Sequence, residues 1–267
     1  MKTRQFAFGR NWQQYVEYAL TPEKIEQARQ AFRQLCDGVA FQDRTFLDIG
    51  FGQGLALCLA HEMGAKVLGI DIDNENVPSL QKTLTAFNFS CSPPYRIASI
   101  LDDNLVEELR HRGEFDIVHS WGVLHHTGDM WQAICNAARL VKPDGVFILS
   151  IYNQHWSSPL WRLIKWSYNH APCVAQRLFV LLFYPIIYLT KFLVTGQNPK
   201  HKQRGMDFFY DVVDWVGGYP YEYASAEAVC NFICRLGFDT VRVIPANIPT
   251  ACNQFVFKKR QFPESLS

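Results

Sequence analysis

The sequence predicts an α/β fold in which a doubly wound, mostly parallel sheet carries helices on both faces. Two observations lead to this prediction. Short apolar runs alternate with amphipathic stretches from residue 41 to residue 153, and a glycine-rich turn, Gly50–Gly54, joins the first run to the stretch after it. The length of 267 residues favours one domain, or one domain with a sizeable insertion, over two full domains.

The first predicted element is a helix. Thr21 is a good N-cap residue, and Pro22 after it is well tolerated in a first helical turn. Apolar residues then recur at helical spacing until about Asp37-Gly38, where the helix is expected to end. We therefore expect residues 1–40 to form a helical cap.

Alternating elements follow this cap. The predicted strands are Thr45–Phe51, Lys66–Ile72, Tyr95–Leu101, Phe115–Trp121 and Val146–Tyr152. The helices predicted between them are Gly54–Met63, Val77–Phe87, Leu105–Arg110 and Met130–Val141. A late helix, Ala226–Leu236, precedes strands near Thr240–Ile244 and Gln254–Lys258.

The charges are distributed unevenly along the chain. The net charge of +1 argues against a general nucleic-acid binder, and we expect no DNA partner. The segment 154–206, however, contains seven basic residues and no Asp or Glu. This acid-free segment interrupts the strand and helix alternation, which predicts an insertion.

Cysteine spacing and the N-terminal sequence limit the possible classes of protein. The eight cysteines form no Cys-x-x-Cys pair, and the histidines form no cluster at metal-ligand spacing. A metal site or a disulfide framework is therefore not expected. The N-terminus lacks a secretory signal pattern, and no uncharged apolar run reaches the ~20 residues needed to span a bilayer. A cytoplasmic location is expected.

The glycine-rich turn is the sharpest motif. Dinucleotide-binding folds use a similar strand-to-helix turn with the pattern G-x-G-x-x-G. Here the third glycine, Gly54, comes one residue early, and Asp48 lies two places before Gly50. A carboxylate at this place suits a ligand with an amino group better than a pyrophosphate.

Two later carboxylates extend the pattern. Asp71 ends the second strand about 20 residues after the glycine turn, where a carboxylate can accept hydrogen bonds from both ribose hydroxyls. Asp102 follows the third strand, where the adenine amino group of a bound ligand could lie. Either Asp102 or Asp103 could instead be an exposed N-cap.

With these motifs the chain resembles a class I S-adenosylmethionine (SAM)-dependent methyltransferase. The match includes the glycine turn, the two carboxylates, the fourth-strand run 115–127 and Lys142–Gly145. It is strong over 41–153. Short motifs at Phe8–Trp12, Asp214–Glu222 and Cys252–Phe255 are similar to those of an uncharacterised group of bacterial small-molecule methyltransferases.

The resemblance implies a seven-stranded sheet with an antiparallel last strand, and SAM as the cofactor. It implies one methyltransferase domain over 1–267, with a SAM-binding core at 41–153, an inserted helical lid or substrate region at 154–224 and the last core elements at 225–267. The residues expected to contact the cofactor are Asp48, Gly50, Phe51, Gly52, Gly54, Asp71, Ile72, Leu101, Asp102, Ser120 and Trp121.

Candidate catalytic residues follow the fourth strand. His125 and His126 lie at the predicted crevice edge, and histidine can accept a proton near neutral pH. The alternative is that one ring packs against the cofactor and the other caps the helix beginning near Asp129. A general-base role is therefore one of two interpretations.

Candidate substrate residues come from two places. Tyr152 and Asn153 end the fifth strand, and the aromatic run Asp214–Glu222 could be a loop closing on substrate. Within that run the candidates are Asp214, Trp215, Tyr219 and Glu222. The alternatives are a rim position for Tyr152 and a tight surface turn with buried aromatics for the run.

The acid-free segment also contains a strongly apolar stretch. Between Arg177 and Lys191 lie thirteen uncharged residues, too few to span a membrane, and Pro185 is expected to kink or divide a helix there. A lid over an apolar substrate, an interfacial contact of 177–193 with anionic lipid, and a packed helical cap or dimer contact all remain open.

The predicted function is transfer of the SAM methyl group to a small, hydrophobic metabolite, with O-methylation favoured. An RNA methyltransferase using the basic insertion, or a non-catalytic SAM-binding scaffold, is the alternative. Base N-methylation is disfavoured because Ser120–Val123 stands where nucleic-acid amino methyltransferases have Asn or Asp, Pro-Pro and an aromatic residue. RNA could still bind the basic insertion, but the long apolar stretch fits such a partner poorly. The sequence predicts no oligomeric state.

Overall fold

The computed structural model describes residues 6–89, 92–200 and 206–261. Its strands are β1 Thr45–Ile49, β2 Lys66–Asp71, β3 Tyr95–Ile97, β4 Phe115–Trp121, β5 Val141–Tyr152, β6 Phe238–Ile244 and β7 Cys252–Lys259. Its α-helices are α1 Phe8–Tyr18, α2 Pro22–Leu35, α3 Leu55–Glu62, α4 Val77–Ala86, α5 Asp103–Arg112, α6 Met130–Arg139, α7 Ser158–His170, α8 Cys173–Thr195, α9 Phe208–Gly217 and α10 Ala226–Arg235. Short 3₁₀ helices lie at Asn74–Asn76 and Leu124–His126.

The described strands form one sheet in the order β3-β2-β1-β4-β5-β7-β6. Strand β1 pairs in parallel with both β2 and β4, whereas β7 is antiparallel to β5 and β6. The predicted doubly wound sheet with an antiparallel last strand is confirmed. Because the strand order reverses between β1 and β4, a crevice opens at the carboxyl ends of these strands, where such folds bind ligands.

Alternating side chains of the strands pack into two cores, one on each face of the sheet. Leu47 packs with helices α5, α6 and α10, and its neighbour Phe46 packs with α2, α3 and α4. This alternation is the period-two pattern of a sheet covered on both faces. The two cores hold the strand ends in fixed positions around the crevice.

Helices α7, α8 and α9 form a third cluster outside these cores, which we call the helical insertion. Val180 and Ile187 of α8 and Val212 of α9 are buried in it, and aromatic side chains surround them. The predicted insertion is therefore helical over its described residues. Lys202 and Arg204, two of its seven cations, lie outside them.

Several predicted boundaries differ from the structure. Strand β3 ends at Ile97, because the Ser99 hydroxyl accepts a hydrogen bond from Leu101 N (3.1 Å) and turns the chain. Helix α8 continues through Pro185, so the expectation that proline divides it is wrong. Pro185 lies on the exposed side of α8, where the loss of one backbone donor is tolerated.

The run predicted as a loop over 214–222 is also corrected. Asp214 and Trp215 belong to helix α9, whose N-cap Asp207 accepts a hydrogen bond from Phe209 N (2.8 Å). The apolar face of α9 buries Val212 and Val216 against α7 and α8. This packing stabilises a helix in a segment whose aromatic and glycine content indicated a turn. The helix ends at Gly217.

Candidate functional site

A cavity of about 900 Å³ opens at the carboxyl ends of β1, β2 and β4. The glycine turn and Asp71 line one side of it, and α1 contributes Phe8 and Trp12. The helical insertion contributes Lys191 and Trp215 on another side. The volume of the cavity lies at the upper end of the ~300–1,000 Å³ typical of ligand pockets, which leaves room for a cofactor and a small acceptor.

The glycine turn is held in a backbone conformation that side chains rarely adopt. Gly50, Gly52 and Gly54 have φ angles of 76°, 52° and 80°. A Cβ on Gly50 would lie 2.4 Å from Val123 Cγ2, and one on Gly54 would lie 2.2 Å from Leu80 Cδ1. Glycine is therefore required for both the turn and its close packing.

Asp71 connects the glycine turn to the end of β2. Its Oδ2 accepts a hydrogen bond from Gly52 N (2.9 Å) and its Oδ1 accepts one from Asp73 N (2.9 Å). Burial raises the pKa of this carboxyl, and the two backbone donors oppose that rise. Asp73 in turn accepts a hydrogen bond from Gly9 N (3.0 Å), which ties α1 to the acidic end of β2.

Asp48 is buried beneath the glycine turn. Its Oδ1 lies 2.7 Å from His119 Nδ1, and the His119 ring packs between Phe32 and Phe46. With His119 Nδ1 as the donor, this hydrogen bond fixes the orientation of the carboxylate. Sequence reasoning missed His119, although it lies directly beside Asp48 in the register of β1 and β4.

The two predicted catalytic histidines are buried and line the cavity. His126 Nδ1 lies 2.5 Å from the Pro220 carbonyl oxygen, and His125 Nδ1 accepts a hydrogen bond from Tyr152 N (3.4 Å). Burial, with a smaller effect of Lys165, lowers the pKa of His126 to about 3. Burial and the neighbouring His126 hold the pKa of His125 well below its usual value.

A buried lysine lies behind Tyr152. Lys165 of α7 is 1% exposed, and its Nζ donates a hydrogen bond to the Trp215 carbonyl (2.5 Å). The same Nζ lies 5.4 Å from the centre of the Tyr152 ring and 4.9 Å from that of Tyr221. Burial lowers the pKa of Lys165 to about 8, and the charge of Asp214 opposes this effect.

A second lysine reaches the cavity wall itself. Lys191 of α8 is paired with Asp211 of α9 through Nζ and Oδ2 (2.7 Å), and its Nζ lies 5.0 Å from the centre of the Trp215 ring. Burial raises the pKa of the cavity-lining Tyr152 well above its usual value, with Asp214 as the next cause. The insertion side of the cavity therefore combines aromatic rings with cations.

The cavity brings together most of the predicted site residues. Those lining it are Asp48, Gly50, Phe51, Gly52, Asp71, Ile72, Trp121, His125, His126, Tyr152, Asp214 and Trp215. Gly54 instead begins α3, and the Ser120 hydroxyl donates to the Ile49 carbonyl (3.0 Å). Leu101 and Asp102 also lie outside the cavity lining, whereas Ser99 and Ile100 contribute to it.

Four predicted residues hold neighbouring backbone in place and lie outside the cavity lining. Asp102 caps α5 by accepting a hydrogen bond from Asn104 N (3.0 Å), the N-cap alternative that the sequence left open. Glu222 accepts hydrogen bonds from Gly128 N and Met130 N. Asn153 donates to the Pro249 carbonyl (2.8 Å), and the Tyr219 carbonyl accepts from Phe6 N (3.0 Å).

Other cavity residues were missed because nothing in their local sequence marks them. Lys191, and Lys165 behind the cavity wall, were counted as basic residues of the insertion, and burial of their ammonium groups has no sequence pattern. Phe8 and Trp12 lie in a motif noted only for its resemblance. The helical spacing of aromatic and polar residues over 8–18 is the sequence pattern that could have predicted α1.

With this geometry in place, the family can be assigned. The methyltransferase-domain family matches residues 22–179, well over half of the chain. The chain belongs to this methyltransferase family. The match runs from the start of α2 into α8 and so includes the glycine turn, Asp71 and the histidine pair.

Similar proteins agree with this assignment. Ubiquinone biosynthesis O-methyltransferases are 30% identical over 116 residues in Bradyrhizobium diazoefficiens and 33% identical over 112 residues in Rhodopseudomonas palustris. Each alignment covers 42% of this chain and 41% of the relative. The chain thus spans about two fifths of the length of the curated relatives that it matches.

Solved structures share the fold. A putative SAM-dependent methyltransferase from Listeria monocytogenes has a TM-score of 0.53 at 16% identity, covering 89% of this chain and 99% of that one. Magnesium protoporphyrin IX methyltransferase from Synechocystis, with bound SAM, has a TM-score of 0.52 at 13% identity, covering 92% and 84%. The predicted family, enzyme class and cofactor are confirmed.

Proposed function

We propose that the protein transfers the methyl group of SAM to an oxygen atom of a small, hydrophobic acceptor. One observation carries the proposal: a single cavity runs from the glycine turn to the aromatic and cationic wall of the helical insertion. The similarity to ubiquinone biosynthesis O-methyltransferases supports oxygen as the acceptor atom. A cytoplasmic location remains a prediction.

The cofactor side of the cavity fits SAM on three grounds. Gly50 and Gly52 line the cavity without side chains, so a ligand can approach the backbone of the turn. The Asp71 carboxylate lies beside this turn, where it is proposed to accept hydrogen bonds from the ribose, and Asp48 is proposed to receive the amino group. We assign the adenine end to Ser99 and Ile100, which line the cavity, rather than to Asp102.

Bound SAM supplies an electrophilic sulfonium methyl group. The protein then has to position an acceptor in line with that group and exclude water. Trp215 and Tyr152 are proposed to hold the apolar body of the acceptor, and Lys191 to attract a partly anionic substituent. Apolar rings with a few polar groups are the usual composition of a small-molecule site.

The histidine pair is proposed to receive the acceptor hydroxyl. If His126 Nδ1 donates to the Pro220 carbonyl, its Nε2 is left as a hydrogen-bond acceptor. A pKa of about 3 keeps this ring neutral at pH 7, so it can orient a hydroxyl but is a weak base. A phenolic or enolic acceptor, whose own proton is acidic, therefore fits the site best.

The test is incubation of the full-length protein with isotopically labelled SAM and a bacterial extract, followed by mass spectrometry of the products. A labelled, lipid-soluble small molecule with an O-methyl group is the expected result. Label found in RNA, or saturable binding of S-adenosylhomocysteine without any labelled product, would contradict the proposal.

The cofactor assignment has a matched pair of variants. Asp71→Asn should weaken S-adenosylhomocysteine binding about 10- to 100-fold by calorimetry, because a charged acceptor of the ribose hydroxyls is lost. Asp116→Asn is the control: Asp116 also accepts hydrogen bonds from a backbone donor, Thr45 N, and from the side chains of Thr45, Arg44 and Lys142, but it lies outside the cavity lining. The Asp116→Asn protein should bind S-adenosylhomocysteine as tightly as the unaltered protein does. An equal loss of affinity in both variants would contradict the assignment of Asp71 to the cofactor.

A further inference from the structure

Helix α8 presents an apolar stripe to solvent. Large apolar residues recur every three or four positions along it and are between 49% and 72% exposed: Val174, Leu178, Leu182, Ile186, Leu189 and Leu193. Only 17% of the most apolar 18-residue window of α8 is buried. A contiguous exposed surface of this kind marks an interaction site rather than ordinary surface variation.

The opposite side of α8 is packed against the protein. Val180 and Ile187 are buried in the helical insertion, and Lys191 is paired with Asp211 of α9. By length and composition alone α8 could cross a membrane. Its packing along α7 and α9 instead holds the helix against the domain, so that only the outward stripe is available to a partner.

The sequence that carries this stripe has charges of one sign. Arg162 of α7 and Arg177 of α8 are exposed, and the whole segment 154–206 contains no Asp or Glu. Two exposed tryptophans belong to the same segment, Trp156 (83% exposed) in the turn before α7 and Trp166 (46% exposed) in α7. Exposed apolar residues, tryptophan and cations without acids are the composition of helices that lie in a membrane interface.

A second copy of the chain fits this face less well. In a two-fold dimer the same surface meets itself, so Arg162 and Arg177 would approach another acid-free segment and find no carboxylate within it. An anionic lipid headgroup offers the complementary charge next to an apolar layer that accepts the stripe.

We propose that the outward face of α8, with the exposed residues of α7, docks the protein on the surface of a membrane containing anionic lipid. Helix α8 then lies in the plane of the interface. Lys191 and Thr195 at its C-terminal end also line the cavity, so docking would place a cavity wall beside the lipid phase. The proposed hydrophobic acceptor could enter from there, although the docking surface itself does not depend on that function.

The test is co-sedimentation of the full-length protein with vesicles of phosphatidylcholine alone or mixed with phosphatidylglycerol. We expect the mixed vesicles to bind at least about tenfold more strongly, with the preference reduced by added salt. The double variant Leu178→Glu/Leu182→Glu should lower binding to mixed vesicles about tenfold or more, because it places carboxylates on the stripe. Arg162→Gln/Arg177→Gln should reduce the preference for anionic vesicles.

The matched control is Tyr18→Glu/Val241→Glu, which adds the same two charges at exposed apolar residues outside α7 and α8. It should bind vesicles as the unaltered protein does. All variants alter exposed residues, and S-adenosylhomocysteine binding by each reports whether the fold and the cofactor side are intact. A failure of vesicle binding with intact cofactor binding is thus separable from a failure of the proposed function.

Three results would overturn the proposal. The first is absence of vesicle binding by folded protein, and the second is equal binding to both vesicle types. The third is a dimer, measured by light scattering, that Leu178→Glu/Leu182→Glu dissociates in a protein without vesicle affinity. That last result would assign the stripe to a second copy of the chain.

Discussion

The two sides of the cavity are built in different ways. The proposed cofactor side is built from backbone turns and carboxylates at the ends of β1 and β2, with Ser99 and Ile100 farther along the chain. The proposed acceptor side is lined by side chains of β5, α8 and α9, which packing of the helical insertion brings together. The carboxylates of the first side accept hydrogen bonds from backbone, whereas the second side combines aromatic rings with buried charges in pairs such as Lys191 and Asp211.

This difference determines which substitutions each side should tolerate. On the cofactor side the critical property is the close packing of side chains such as Val123 and Leu80 against the backbone of the glycine turn, so an added methyl group is harmful. On the acceptor side the critical property is that each buried charge has a partner of opposite charge. A substitution that removes one member of such a pair should therefore lower the stability of the fold. The following variants separate the two effects.

The largest effect is expected for Lys165→Met. The substitution removes the cation beside Asp214 and the donor to the Trp215 carbonyl, and breaking such a buried interaction costs about 3–5 kcal/mol of the free energy of unfolding. S-adenosylhomocysteine affinity should change less than about threefold, because the cofactor side is formed by strand ends. Urea denaturation and calorimetry measure the two quantities.

The control for this prediction is Lys200→Met at an exposed lysine in the same acid-free segment. It should change the free energy of unfolding by less than about 0.5 kcal/mol. A loss below about 1 kcal/mol in Lys165→Met would show that the buried cation does not organise the acceptor side.

Gly50→Ala is expected to have the next largest effect. It places a Cβ 2.4 Å from Val123 Cγ2 at a φ of 76°, and the combined strain and crowding should cost about 2–3 kcal/mol. Gly38→Ala is matched to it, since Gly38 has a φ of 80°, no heavy atom within 4 Å of the added Cβ, and a position outside the cavity lining. That variant should lose only about 1 kcal/mol, from backbone strain alone.

Binding separates these two glycines further. Gly50→Ala should weaken S-adenosylhomocysteine binding at least about tenfold, and Gly38→Ala should not, if the turn approaches the cofactor closely. Equal stability and affinity in the two variants would mean that the crowding against Val123 is relieved by rotation of that side chain. The importance of the turn would then lie in its backbone conformation alone.

The same difference explains which parts of the molecule could be predicted from the sequence. The mostly parallel sheet and the glycine turn follow local patterns such as apolar periodicity and glycine spacing, and Asp71 lies at the predicted end of β2, whereas the antiparallel last strand was expected only from the resemblance. The buried state of Lys165 and the helical state of Asp214 depend on contacts among α7, α8 and α9, which are up to fifty residues apart. Such contacts leave no local pattern, so acceptor-side residues were predicted less completely.

A pH dependence should come from His126. Its pKa of about 3 in the fold lies below the ordinary value of 6.5, so between these pH values the unfolded chain binds a proton that the folded chain does not. The free energy of unfolding should therefore fall as the pH falls from 6.5. In His126→Asn the slope between about pH 6 and pH 4 should be smaller by about 1 kcal/mol per pH unit.

The control for this measurement is His170→Asn, which alters an exposed ring on α7. Its pH profile should follow that of the unaltered protein. An unchanged slope in His126→Asn would show that the ring is protonated without loss of the fold, which would favour the general-base interpretation that the sequence left open.

The smallest effect is expected for Asp102→Ala, and it decides between two interpretations of one carboxylate. The sequence resemblance assigns Asp102 to the adenine of SAM, whereas in the structure it is an exposed N-cap of α5. Loss of the cap should lower the free energy of unfolding by about 1 kcal/mol and leave S-adenosylhomocysteine affinity within about twofold. A tenfold weaker affinity at unchanged stability would instead place the adenine beside Asp102, and the cofactor side would then extend beyond the cavity wall formed by Ser99 and Ile100.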